Sequence, residues 1–293
     1  MSGEKAVLEN EELFVEVNQS GAELARIYDK KKKREILWEA DPAIWGRHAP
    51  ILFPFVGKCF GNKYIHDGKT YGIGQHGFAR DMEFELQSAQ THEVWHALTD
   101  SEETLAKYPF HFRLETGHRL EGRQLRVMWK VTNTGSDNMY FMIGAHPAFR
   151  VPEGKSIYDY TFDFHQSGVL HYQAPDGDGY GDAALSGELP VGDGRVPLTK
   201  GFFRDVLTYI FDRGQIEKIS LLLSGEPFVT VTCKGFPYTA VWTVEETHPF
   251  VCLEPWYGRC AEKGFCGELK DREGIVMLNP GKIFQTEYTI EVI

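Results

Sequence analysis

Apolar and polar residues alternate in short runs along most of the chain, which is the period of strands half-buried in a sheet. Glu12 to Val17 sets the rhythm, with Leu13, Val15 and Val17 on one face and Glu12, Phe14 and Glu16 on the other. Glu23 to Tyr28 and Glu35 to Trp38 flank the basic run Lys30 to Arg34, which reads as the solvated tip of an antiparallel hairpin. Tyr64 to Tyr71 is a second hairpin, in which Asp67-Gly68 supplies the positive φ angles of a type I′ turn. Met82 to Ser88 and Glu93 to Thr99 are the next candidate strands. Phe110 to Leu120 and Gln124 to Val131 then pair around Glu121-Gly122-Arg123. Ser101 to Lys107 is the clearest helix, short, capped by Ser101 and ended by Pro109.

Residues 152–200 are rich in Gly, Asp and Pro and read as loops with short strands, including a long excursion around Asp176 to Asp193. The strand rhythm returns at Leu207 to Phe211, Lys218 to Leu223, Phe228 to Cys233, Thr239 to Thr243, Phe250 to Glu254 and Phe284 to Val292. Many short strands with few helices predict an all-β sandwich or barrel. No linker-like run divides it, so residues 1–293 are read as a single domain.

Composition narrows the function. Aromatic residues reach 13% (20 Phe, 13 Tyr, 6 Trp), which suits strands and sugar-facing surfaces. The net charge of −11 argues against nucleic acid or an anionic membrane as partner, since phosphate backbones need a basic face. The first residues, Met1 to Lys5, are charged and carry no apolar leader core. No apolar run approaches the roughly 18 residues of a spanning helix. Five cysteines, odd in number and without a Cys-x-x-Cys pair, fit reduced thiols in a cytoplasmic protein.

Three motifs do not hold up in context. Gly72-Ile73-Gly74-Gln75-His76-Gly77 has the glycine spacing of a nucleotide-binding turn, but no helix follows to carry a phosphate. His92-Glu93-Val94-Trp95-His96 matches a zinc-peptidase pattern that works only on a helix. On a strand its histidines lie about 13 Å apart, too far for one zinc. Asp176 to Asp182 suggests a calcium loop but has Tyr180 at the third ligand position and Gly187 where the closing Glu belongs.

What remains is a set of polar groups where strands meet turns. Arg47 and His48 precede an apolar run, and His76 and Arg80 sit in a glycine-bracketed turn. His146 follows Phe141-Met142-Ile143-Gly144 and precedes Pro147. Glu254 ends Phe250-Val251-Cys252-Leu253 and precedes Pro255-Trp256, a setting that predicts a partly desolvated carboxyl with a raised pKa. Asp205 completes the set. Singly, each has a plain structural use as a partner for a carbonyl or an opposite charge. Together a histidine, a glutamate and a tryptophan suit a sugar site, with acid, base and a ring to cover an apolar sugar face.

Four blocks, Arg47-His48-Ala49-Pro50-Ile51-Leu52-Phe53-Pro54, Gln75-His76-Gly77-Phe78-Ala79-Arg80, His146-Pro147-Ala148-Phe149 and Leu253-Glu254-Pro255-Trp256, resemble the landmarks of the aldose 1-epimerase (galactose mutarotase) family, in its divergent branch. The resemblance implies a large antiparallel β-sandwich with the site on its concave face. It implies His146 as general acid, Glu254 as general base, and Arg47, His76 and Asp205 as sugar-binding groups. Asp212 is a nearby alternative to Asp205, and Arg80 and Trp256 join the expected binding set. The reaction implied is interconversion of the α and β anomers of a free aldohexose, with no metal or organic cofactor. The expected partner is a small sugar alone, with the chain a monomer or homodimer. Two alternatives stay open: a hexose-6-phosphate epimerase, with Arg47 and Arg80 for the phosphate, and a carbohydrate-binding or sensing protein without turnover.

Overall fold

The computed structural model describes residues 5–244 and 249–293. Residues 1–4, which carry most of the charged N-terminal reading, lie outside the described residues. Two large antiparallel sheets dominate. A nine-stranded sheet runs from Arg195–Pro197 through Tyr160–Asp163, Lys218–Leu223, Glu226–Thr232, Ile283–Val292, Gln124–Asn133, Phe112–Glu121 and Glu93–Thr99 to Glu85–Ala89. The second runs from Gly181–Gly192 through Gly168–Pro175, Thr208–Phe211, Tyr238–Trp242, Phe250–Tyr257 and Ile143–Ala145 to Ile51–Leu52, with Ala148–Arg150 also paired to Phe250–Tyr257. A four-stranded sheet from Lys5 to Glu35 flanks them. This is the all-β sandwich the alternation predicts.

The period-2 side-chain pattern explains how the sheets share a core. Val127, Trp129 and Val131 of one and Val251 and Leu253 of the other belong to the same buried cluster. The alternate residues Cys252, Glu254 and Trp256 therefore project to the opposite face of the second sheet. Aromatic packing fills the space beneath the opening segment, where Phe53 meets Phe78, Tyr108, Phe112 and Phe141 at 5.1–6.3 Å between centroids.

The helix Glu102–Lys107 forms where expected, with Ser101 accepting from the Thr104 N–H in a capping box. The hairpin Lys63–His66 and Lys69–Gly72 turns on Asp67 and Gly68, both at positive φ. The expectation for residues 152–200 needs correction. Gly181–Gly192 is a twelve-residue edge strand paired to Gly168–Pro175 with two register breaks. Most of its residues are exposed or half-exposed, so no core face imposes an apolar alternation to read. The helix is the only α-helix among the described residues, and none is long and apolar enough to cross a membrane.

Asp29 ties the small sheet to the large one. It is fully buried and accepts from Arg123 Nη2 at 2.6 Å and from the backbone N–H groups of Lys31 and Lys32 at 3.0 Å. Burial alone would raise its pKa, but Arg123, the backbone donors and Arg34 outweigh it and hold the carboxyl below its usual range. A carboxyl lowered in the folded state stabilises fully above its unfolded pKa, and that stability is lost as pH falls through the folded value. Asp29→Asn is therefore expected to lose about 2–3 kcal/mol at neutral pH, since Arg123 keeps some solvent contact. Urea titrations at a series of pH values check this. The gap to wild type should shrink below about pH 4, and a gap independent of pH would mean that the charge does not matter.

Candidate active site

The register of one strand assembles the site. Tyr257 and Trp256 oppose Ile143 and Gly144, and Cys252, Val251 and Phe250 oppose Ala148, Phe149 and Arg150. Both pairings keep the same register, so it runs unbroken through the gap at His146-Pro147, where the Leu253 N–H donates to the Pro147 carbonyl. His146 thereby comes to face Glu254. Its Nε2 lies 3.2 Å from Glu254 Oε2, and both residues are buried, Glu254 at 1% exposure and His146 at 7%.

Neither group has a conventional partner. Both carboxyl oxygens of Glu254 and Nδ1 of His146 are buried without a hydrogen bond among the described residues. Burial raises the Glu254 pKa well above the usual carboxyl range, and Trp256 offsets only part of this. Burial also pushes His146 down to about 3, with Arg80 and Arg47 adding repulsion. Both shifts have burial as their first cause and both disfavour the charged form, so the site favours a neutral imidazole beside a neutral carboxyl.

His76 is fixed in a different way. Its N–H donates to the Gly57 carbonyl at 2.9 Å, and its Nδ1 accepts from the Gly57 N–H at 3.1 Å. An accepting Nδ1 leaves the proton on Nε2, so His76 presents an N–H donor. The Gln75 side-chain amide nitrogen lies 3.3 Å from that Nε2. Burial, followed by His146, Arg80 and Arg47, holds the His76 pKa well below normal and keeps the ring neutral. His76 itself has φ +65°, and Gly77 follows at +72°. A Cβ on Gly77 would sit 2.2 Å from the Phe53 carbonyl, so only glycine lets the turn close on the Phe53-Pro54 backbone.

These groups line an open cleft of about 610 Å³, on the face of the second sheet turned away from the core. Of the expected residues, His146, Glu254, His76, Arg80, Asp205 and Trp256 all line it. Asp205 is exposed at the rim and bonded to Arg204 at 3.0 Å, whereas Asp212 is engaged by Gln173, Arg213 and Gln215 and does not line the cleft. Arg47 does not line it either. It pairs with Asp81 at 2.6 Å, alongside Arg80, which donates to the Gln75 carbonyl. Trp256 is 4% exposed, packs over Gly144 and donates to the Ala145 carbonyl.

Two rings that the sequence did not single out stand better placed to cover a ligand. Trp45 and Trp242 each lie 5.0 Å from the His146 ring and 5.5 Å from one another, and both are half-exposed in the cleft. Trp45 stands two residues before the block that begins at Arg47, so its position was a signal. Trp242 ends a strand with no motif around it.

The three discounted motifs behave as expected. His96 is buried in the strand Glu93–Thr99, while His92 is exposed and precedes it. Gly72–Gly77 leads into a single turn of 3₁₀ helix, Ala79–Asp81. The Asp176 carboxylate accepts from the Asp178 and Tyr180 N–H groups and from Lys263, so it closes its own turn.

Comparison with known proteins agrees with this architecture. Residues 4–261 match the family model described as aldose 1-epimerase. The chain is 30% identical to the chromosomally encoded protein LacX of Lactococcus lactis subsp. lactis, covering 98% of each. A galactose mutarotase related enzyme from Lactobacillus acidophilus superposes with a TM-score of 0.93 at 33% identity, over 99% of this chain and 97% of that one. A galactose mutarotase-like protein from Lactobacillus casei gives 0.90 at 30% identity, over 99% and 100%. With a matching family model over most of its length, and three of the four sequence blocks supplying strands to one sheet, this chain belongs to the aldose 1-epimerase family.

Proposed function

We propose that the protein is a mutarotase, interconverting the α and β anomers of a free aldohexose. One observation carries the reading: His146 Nε2 lies 3.2 Å from Glu254 Oε2, and both residues line one cleft. A pyranose needs one group to take the O1 proton and another to give one to the ring oxygen, which is the capacity of this pair.

With sugar bound, the pair's proton rests on His146 and Glu254 is ionised. Glu254 removes the O1 hydroxyl proton as His146 delivers its own to O5, and the C1–O5 bond breaks. The open aldehyde turns about C1–C2. His146 then takes the O5 proton back as O5 attacks the other face of C1, and Glu254 returns its proton to O1. The enzyme ends as it began. His76 Nε2–H and Arg80 supply donors to sugar hydroxyls, Asp205 an acceptor at the rim, and Trp45, Trp242 and Trp256 apolar faces. Each positioned acid or base contributes on the order of 10²–10⁴ in rate.

Lys58, Arg80 and Arg204 also line the cleft, which gives the hexose-6-phosphate reading a specific basis. Against it, Arg47 is held by Asp81 and Arg204 by Asp205, so part of that charge is already matched. A free sugar is favoured.

Glu254→Gln keeps the shape of the side chain but removes the base, so kcat should fall by roughly 10²–10⁴ with the fold unchanged. Polarimetry of α-glucose and α-galactose reads it, and a wild-type rate in this variant would remove Glu254 from the mechanism. His76→Gln should raise KM more than it lowers kcat, because His76 holds the sugar without exchanging a proton. Glucose should turn over faster than glucose 6-phosphate, and the reverse order would favour the phosphorylated substrate. Saturable sugar binding without acceleration would mark the protein as a binder.

A further inference from the structure

We propose that Cys252, His146 and Glu254 form a binding site for a thiophilic divalent cation, zinc above all, whose occupancy shuts off the acid–base pair. The donor atoms of these three residues all lie within 4.8 Å of one another, and all three residues are buried. Cys252 and Glu254 are two apart on one strand and so share a face, and the continuous register places His146 beside them.

The His146–Glu254 separation suits the metal. Zinc bonds of 2.0–2.1 Å to nitrogen and oxygen span a tetrahedral edge of about 3.3 Å, and His146 Nε2 to Glu254 Oε2 measures 3.2 Å. Thiolate, imidazole and carboxylate are the three donor types that zinc takes. Both Glu254 oxygens are buried without a partner, so the carboxyl is already stripped of competing hydrogen bonds. His146 and Glu254 line the cleft, while Cys252 lies behind them against Trp38, Ala148 and Phe250. That arrangement leaves the fourth position facing the cleft, for water or another ligand.

Charge also balances. Taken as thiol, imidazole and carboxylic acid, the free group is neutral. Binding breaks the S–H bond, releases both protons to solvent and forms bonds from the dication to thiolate, carboxylate and neutral imidazole. The complex is again neutral, so no net charge is buried. A second such group among the described residues, His66, Asp67 and Glu268, is a weaker candidate, because Glu268 already accepts from the Asp67 and Gly68 N–H groups.

Cobalt(II) titration of the full-length protein tests the site without reference to turnover. One equivalent should bind with the visible bands of tetrahedral cobalt and a near-ultraviolet sulfur-to-cobalt band, and zinc should displace it. Cys266→Ser, which removes the exposed thiol, should leave both signals intact. Cys252→Ser and Cys252→Ala should each lose the sulfur band and weaken binding on the order of tenfold or more. Octahedral cobalt with no sulfur band, or a sulfur band that survives both Cys252 variants, would overturn the proposal. The inhibition arm rests on the mutarotase reading. Zinc should compete with sugar in wild type, while Cys252→Ser keeps its uninhibited rate and loses zinc sensitivity. Zinc binding at Cys252 with no loss of turnover would overturn the shut-off while leaving the site.

Discussion

The two-residue period of the strand Phe250–Tyr257 is the constraint on which everything else hangs. Val251 and Leu253 are held in the shared core, and that burial fixes which way the even-numbered residues point. Cys252, Glu254 and Trp256 have no choice but the cleft face. A carboxyl would not remain at 1% exposure for its own sake, because desolvation opposes its charge. The apolar residues on either side hold it there, and its altered acidity is a by-product of their packing.

The surrounding parts serve the same end by different means. Gly57 holds His76 through both its backbone N–H and its Nδ1, and Arg272 braces the neighbouring backbone, its Nη2 donating to the Val56, Lys58 and Arg259 carbonyls. The imidazole is thus a rigid donor in an unusual backbone conformation, sustained by neighbours that over-determine it. His146 is braced instead by aromatic rings. One histidine has its proton position dictated by backbone, while the other has an unbonded Nδ1 and a carboxyl partner, which suits the first to holding and the second to exchange.

Much of this was legible in the residues. Where one face of a strand is buried, as in Leu13–Asn18 or Gln124–Asn133, alternation gave both the element and its facing. The blocks around His76, His146 and Glu254 could be recognised because glycine and proline punctuate them. The edge strand Gly181–Gly192 escaped because neither face is buried, and Trp242 because a lone aromatic at a strand end looks like core. The separation of Arg47 from the cleft was also hidden. Asp81 lies between the two cations, 2.6 Å from Arg47 and 3.7 Å from Arg80, and the closer pairing is settled in three dimensions.

The short break between Ile143–Ala145 and Ala148–Arg150 carries a consequence for how this chain tolerates change in length. Its two flanking strands pair with one partner in a single register, so the number of residues between them is fixed by the sheet itself. Inserting or deleting one residue there would turn either the imidazole or Phe149 to the wrong side, trading chemistry against the core. This two-residue gap is frozen in size by the register on either side of it.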